Sequence, residues 1–347
     1  MKMTVTERIM RALQGKAKGS KPVFAPYENK VVPGKVLDQL LERGMALTRR
    51  VPAFQTQYKN CIIKKSTEEK NGVKEVCTRI ETPYGVLKQV ETVNDVSSYI
   101  SEHFVKDEND FPAYRYMLQD KIAVSNHKEI EKALQSDEIY FLRGWLPYEP
   151  LQQIIIQDMG TENFCFAWMD YRDQLMEFSE IIDEFNKKTF QLAAESKLNV
   201  FNYGGNVTPN IIGKEVFDRV YVRQYDEAAD VLHKSGKLIG CHFDADNTLI
   251  LDSIARTKLD YIEAYDISCS PPMSVAVEKN PDKVFWLNFP SPVHLQGRKQ
   301  VYETTLQLLK EGKEAKGLIM GVTEDVPSAY WEESFVAIMD AIDDFYG

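Results

Sequence analysis

The chain predicts an α/β fold, a single (β/α)8 barrel of the TIM type with an N-terminal extension containing β-hairpins. Three observations predict it. Short apolar runs at 237–242, 260–264 and 284–289 are bounded by turn or charged residues, which suits strands buried on both faces. Helical stretches at 248–257 and near 274–278 separate them, and strand–helix alternation is the βαβ signal. The 347 residues hold seven good parallel-strand candidates and one weak one, and eight strands close a barrel.

In chain order, 4–14 reads as a short amphipathic helix and 16–21 as a basic linker. PVFAPY at 22–27 is the first strand, followed by a helix at 35–47 and the weak second strand at 53–58. Between 61 and 93 the pattern changes to alternating segments (CIIKK, EVCTRIET, GVLKQVET) divided by EEKNG and PYG. Asn-Gly and Tyr-Gly turns between alternating runs indicate antiparallel hairpins. They are read as an insertion beside the barrel, within one domain spanning 1–347.

Helices are expected at 95–106, 111–119 and 126–135, then a buried strand, IYFLRGW, at 139–145. Helices at 149–159 and 171–196 follow, the second with Leu175, Phe178, Ile181, Ile182 and Phe185 at helical spacing. The strand at 199–203 ends in Gly204, Gly205 and Asn206. A long helix at 212–234 stops at Gly236. A helix at 298–310, a strand at 317–322 and a helix at 331–346 close the chain.

Composition narrows the partners. A 44% hydrophobic and 27% charged chain can build a full core and a solvated surface. A net charge of −10 argues against nucleic acid or an anionic membrane as the main partner, since both need clustered Lys and Arg. No run of eighteen apolar residues occurs, and MKMTVTERIMRAL lacks a signal peptide's apolar segment. Five cysteines, odd in number and without CxxC pairing, are expected as reduced thiols in the cytoplasm.

The polar residues at strand ends are the functional signal. His242 and Asp244 close one run, Glu263 lies near the end of the next, and His294 follows the third. In a parallel barrel these positions share one rim, where imidazoles and carboxylates together suit a hard or borderline metal ion. Any one of them alone reads more readily as a solvated loop residue; the four together favour the metal site. Gly204 and Gly205 read as a tight turn that leaves Asn206 facing the barrel mouth. Phe201, Tyr203, Phe243, Tyr265 and Phe289 either wall a pocket for a flat ring or pack the core. Glu324, in EDVP after the last strand, caps the final helix or contacts a ligand, with capping favoured. Cys241 should point away from His242, and Cys269 follows no ligand spacing.

From about residue 149 onward, NVTPNIIGKEVFDRVYVRQYDEAADVLHKSGKLIGCHFDADN and GLIMGVTEDVP resemble the uroporphyrinogen decarboxylase superfamily, in its methyltransferase branch. The resemblance implies a single β/α barrel. The decarboxylases carry an Arg-rich N-terminal motif that PVFAPYENKVVPGKV lacks. Zinc enzymes that methylate a thiol carry His-x-Cys where this chain has His242-Phe243-Asp244. The chain is more similar to O-demethylase methyltransferases, which move methyl from phenyl methyl ethers to a corrinoid protein and bind zinc through two Glu and one His.

That pattern falls on Glu263, on Glu278 fifteen positions on, and on His294 sixteen further. The resemblance thus implies zinc held by Glu263, Glu278 and His294, and cobalamin carried on a corrinoid partner protein. His242 and Asp244 would be catalytic, and Asn206, Tyr203, Phe243 and Tyr265 would line the site for a methoxylated aromatic substrate. A methylcorrinoid-dependent thiol or other methyltransferase, a uroporphyrinogen decarboxylase-like enzyme and a non-catalytic metal-binding barrel are the alternatives.

Overall fold

Most strands of the main sheet are short, largely apolar runs buried along their length, so each needs neighbours on either side and helices outside. The computed structural model describes residues 3–70, 72–94, 98–136 and 140–347. Ile139, expected to begin a strand, and residues 95–97, expected to begin a helix, lie outside the described residues. The described residues form two compact units, one drawn from Met1–Pro52, His127–Trp145 and Ala193–Gly347, the other from Ala53–Asn126 and Leu146–Leu192.

The first unit holds eight parallel strands: β1 (Val23–Phe24), β2 (Leu47–Pro52), β3 (Tyr140–Trp145), β4 (Val200–Asn202), β5 (Leu238–His242), β6 (Tyr261–Tyr265), β7 (Val284–Asn288) and β8 (Gly317–Gly321). They pair in the order β1-β8-β7-β6-β5-β4-β3-β2, a curled TIM-like sheet. The ladder is not closed as expected. Between β1 and β2 there is an isolated Tyr27–Thr48 bridge, with the Ala46 N–H donating to Phe24 O at 2.9 Å and the Thr48 N–H to Pro26 O at 3.0 Å. Pro22 and Pro26 flank β1, and each lacks the N–H that would extend its ladder.

Side chains inside the curl lie in layers, as the period of two along each strand requires. The lowest contains Val23, Phe141, Val200, Tyr261, Val284 and Ile319. The helix Val5–Leu13 packs Ile9, Ala12 and Leu13 against this layer, at the i, i+3, i+4 positions of one face. A capping box starts that helix: Glu7 N–H donates to Thr4 Oγ1 at 3.1 Å and Thr4 N–H to Glu7 Oε2 at 2.7 Å. Two glycines make room here. A Cβ on Gly317 would stand 2.3 Å from the Ala12 carbonyl oxygen, and one on Gly240 2.4 Å from the Tyr261 ring.

Two expected elements of this unit are corrected. The helix begun at Lys35 ends at Glu42, where Gly44 turns the chain at φ 96, and the second parallel strand is Leu47–Pro52. Residues 53–58 belong to the second unit, where Phe54–Tyr58 pairs antiparallel with Lys121–Ser125. Its exposed middle, Gln55-Thr56-Gln57, does not suit a barrel strand covered on both faces.

The second unit also carries the expected hairpins: Ile62–Lys70, Val73–Thr82, Gly85–Val93 and Ser98–Glu102 form one antiparallel sheet in that order. Ser98–Glu102 is a strand, not part of a helix at 95–106, and pairs with Val90–Val93. Pairing of Tyr99 with Thr92 and of Ile100 with Glu91 on the neighbouring hairpin strand decides for the strand. In sequence these strands lie between β2 and β3, so they are an insertion and not an N-terminal extension. The unit's helices are Phe111–Asp120, Pro150–Gln153 running into the π-turn Ile154–Met159, Thr161–Asp170 and Arg172–Glu195.

Candidate metal and active site

Above the apolar layer of the first unit lies a polar one. Phe141, Val200 and Tyr261 point into the curl, so Arg143, Asn202 and Glu263, two residues further along β3, β4 and β6, do too. Glu263 is fully buried at 0% exposure, and both of its oxygens are held. Oε1 accepts from Tyr27 Oη at 2.9 Å and from Arg143 Nη1; Oε2 accepts from Asn202 Nδ2 and lies 3.0 Å from His242 Nδ1. Arg143, also at 0% exposure, lies 4.3 Å from the centre of the Trp286 ring and 5.2 Å from that of Tyr27. Burial opposes the charge on Glu263, but Arg143 and His242 outweigh it and hold the carboxyl below its usual range.

His242 ends β5 and joins this network to the rim. With Nδ1 against Glu263, Nε2 faces outward and lies 3.5 Å from Asp244 Oδ2. Among the described residues, His242, Asp244 and Glu324 are the one group of three or more His, Cys, Asp or Glu side chains whose ligand atoms all lie within 4.8 Å of one another. Burial works against charge on His242, but Tyr27, Asp244 and Glu263 raise its proton affinity well above the ordinary value. Glu324 is raised by burial and by the Asp244 carboxylate.

Backbone turns place the two rim carboxylates. Asn288, at the end of β7, accepts from the Thr323 N–H at 2.8 Å and from Thr323 Oγ1 at 2.9 Å, which fixes the chain entering Glu324. Gly205, at φ 141, passes close to His242, where a Cβ would come within 2.9 Å of the histidine's own Cβ. Asn206, at φ 51, then brings its Nδ2 to 3.4 Å from Asp244 Oδ2. Asp244 Oδ1 is buried and has no hydrogen-bond partner. Cys269 Sγ donates to the Asp244 carbonyl at 3.3 Å, and burial pushes its thiol up to about 11.

A divalent ion fits this donor set. Two carboxylates and an imidazole nitrogen converge, one carboxylate oxygen is orphaned in a buried position, and the proton that the acidic surroundings hold on His242 is what a cation displaces. Glu263 fits the role of the carboxylate that orients a metal-binding histidine through its other ring nitrogen.

The expected ligands Glu263, Glu278 and His294 are not brought together in such a group. Glu263 is engaged as described, and Glu278 stands exposed near the end of the helix Met273–Lys279. His294, 1% exposed, packs its ring 4.9 Å from the centre of Phe289. Its two ring nitrogens have no hydrogen-bond partner, and burial lowers its pKa to about 4. At His294 the folded state therefore binds fewer protons than the unfolded state between about pH 6.5 and pH 4. The contribution of this residue to stability should be lost through that window as pH is lowered. The His294→Phe protein should lose less stability over the same range, read as urea midpoints from pH 7 to pH 4.

Of the expected substrate-binding residues, Asn206 is at the rim. Phe243 is fully buried, with its ring 6.0 Å from Tyr225 and 6.5 Å from Phe217. Tyr203 packs on Tyr225 at 5.8 Å. Tyr265 is turned off the face that Tyr261 and Glu263 share, because Ala264 takes φ 59 and shifts the register with β7; its ring lies against Phe285. Cys241 faces the outer helices as expected, 3.4 Å from Tyr225 Oη. Glu324 does not cap the last helix, whose N-cap residue is Tyr330. Arg143, Asn202 and Tyr27 were not singled out from the sequence, although a charged residue inside the apolar run IYFLRGW is a visible signal.

No protein-family model matches the chain, and no curated protein matches it. Among solved structures it is similar to a methyltransferase from Methanosarcina mazei, at 12% identity and a TM-score of 0.58, with 100% of both chains covered. That likeness establishes a shared fold along the full length. A sugar phosphate isomerase/epimerase from Parabacteroides distasonis gives 13% identity over 61% of this chain and 91% of its own, at a TM-score of 0.34. An endoglucanase from Clostridium longisporum gives 8% identity over 64% of this chain and 86% of its own, at 0.37. These two are too distant to carry weight. No helix among the described residues is long and apolar enough to cross a membrane.

Proposed function

We propose that this protein is a methyltransferase of the uroporphyrinogen decarboxylase superfamily. In this reading it removes the methyl group from methoxylated aromatic compounds and passes it to the cobalamin of a corrinoid partner protein. The observation that carries the proposal is the His242–Asp244–Glu324 group at the strand ends of a methyltransferase-like fold. Zinc held by these three residues would act as a Lewis acid on the ether oxygen, stabilising the phenolate as the C–O bond breaks.

The chain's own residues have definite tasks. His242 presents Nε2 to the ion while Glu263 holds Nδ1. Tyr27, Arg143 and Asn202 keep Glu263 ionised and fixed in orientation. Oxygen and nitrogen donors suit an oxygen substrate better than a thiol, for which sulfur ligands are the usual partners. The Asp at the His242-x-Asp244 position therefore favours ether cleavage over thiol methylation.

The test mixes the zinc-supplied protein with cob(I)alamin and a panel of methoxybenzoates and methoxyphenols. Methylcobalamin formation, followed by absorbance, is the expected result. Turnover of methylated thiols or amines, with every aromatic ether inert, would reject the ether reading.

A further inference from the structure

The inserted antiparallel sheet treats its two edges differently. At one edge Ser98–Glu102 is five residues long, and its pairing is interrupted by a register shift between Val90 and Glu91. Short, irregular edges are one way in which sheets avoid joining one another. At the other edge Ile62–Lys70 runs nine residues in unbroken register with its neighbour, without proline or bulge. Residues 62–69 are all exposed, Ile62 and Ile63 included, and among the described residues no strand pairs along their other side.

Charges on an edge strand usually oppose pairing, but the order of these charges favours it. The strand reads IIKKSTEEK, with two lysines before Ser66-Thr67 and two glutamates after. Laid antiparallel on a second copy with Ser66 opposite Ser66, Lys64 of each copy meets Glu68 of the other. Lys65 and Glu69 then lie diagonally across the opposite face. A two-fold axis through the Ser66 pair keeps opposing side chains on the same face, as an antiparallel ladder requires. Parallel pairing in register would instead set Lys64 on Lys64 and Glu68 on Glu68.

Within one chain that face carries like charges across the ladder. Lys64 lies opposite Arg79 and Glu68 opposite Glu75, although Lys64 also reaches Glu81. Like charges directly opposite are destabilising, and a second copy brings the opposite sign to both positions.

We propose that this protein forms a two-fold dimer in which the strands Ile62–Lys70 of two copies pair antiparallel, joining two four-stranded sheets into one of eight. The proposal does not depend on the reaction assigned to the metal site.

Sedimentation velocity of the full-length protein across a concentration series tests it. The expected result is a reversible monomer–dimer equilibrium. Lys64→Glu and Glu68→Lys each set like charges opposite one another, twice over by symmetry, and each should weaken dimerisation about tenfold or more. Mixing the two variants, or combining both substitutions in one chain, restores opposite charges, and the dimer should return. Unchanged thermal midpoints would show that these exposed substitutions leave the fold intact. A protein that stays monomeric at every concentration would overturn the proposal and leave the edge to a different partner. A dimer equally strong in both single variants, or one that neither the mixture nor the double variant restores, would overturn it too.

Discussion

Replacing Arg143 with Met is expected to destabilise the protein by about 3–5 kcal/mol, because it strands the Glu263 carboxylate in a buried site without its cation. Arg143 and Glu263 are both fully buried, and the remaining donors to Glu263 are Tyr27, Asn202 and His242. Removing both charges avoids the stranded carboxylate, although Tyr27, Asn202 and His242 then lose their shared acceptor. The double variant Arg143→Met/Glu263→Leu should therefore be less destabilised than the sum of the two single variants. Urea unfolding of the single and double variants at pH 7 checks this. Additive losses in the double variant would mean that the two residues are not coupled.

The second large effect concerns the rim. Asp244→Asn and Glu324→Gln should each lower kcat for aromatic ether cleavage by about a hundredfold or more, the rate equivalent of several kcal/mol of charge stabilisation. KM should change much less, because the interaction lost develops as the C–O bond breaks. Steady-state kinetics with a methoxybenzoate and cob(I)alamin separates the two parameters. A rise in KM at constant kcat would assign these carboxylates to substrate binding instead.

Much of the fold was legible because seven strands of the main sheet are short apolar runs bounded by turn residues. Leu47–Pro52 was not, since LTRRVP places two arginines in its middle and only part of it is buried. The neighbouring FQTQY does form a strand, so the local signal was right, but its exposed polar face pairs it elsewhere. Pairing partners are a tertiary property that period-two alternation leaves open.

At the site, strand-end position points to His242, Asp244 and Glu263, and also to His294, which instead packs against Phe289. The same rule applied to β8 points to Glu324, but EDVP also reads as the start of a helix, and that signal hid it. Glu278 is implied by the family resemblance alone, and a spacing carried over from a family does not determine where a residue on an outer helix points. The positive φ of Ala264 likewise turns Tyr265 away from the mouth, and nothing in YIEAYD announces it. Arg143 and Asn202 were readable in principle, as polar residues at inward positions of buried strands, which are costly unless partnered.

The most direct test of the central claim is zinc content per chain, by elemental analysis of the protein purified without chelator. The unaltered protein should carry about one zinc ion, as expected for three protein ligands and an open position. The variant Asp244→Asn/Glu324→Gln should carry almost none, while Glu278→Gln and His294→Phe should remain fully loaded. Full zinc occupancy in the first variant, with loss in the other two, would contradict the assignment and return the site to Glu263, Glu278 and His294.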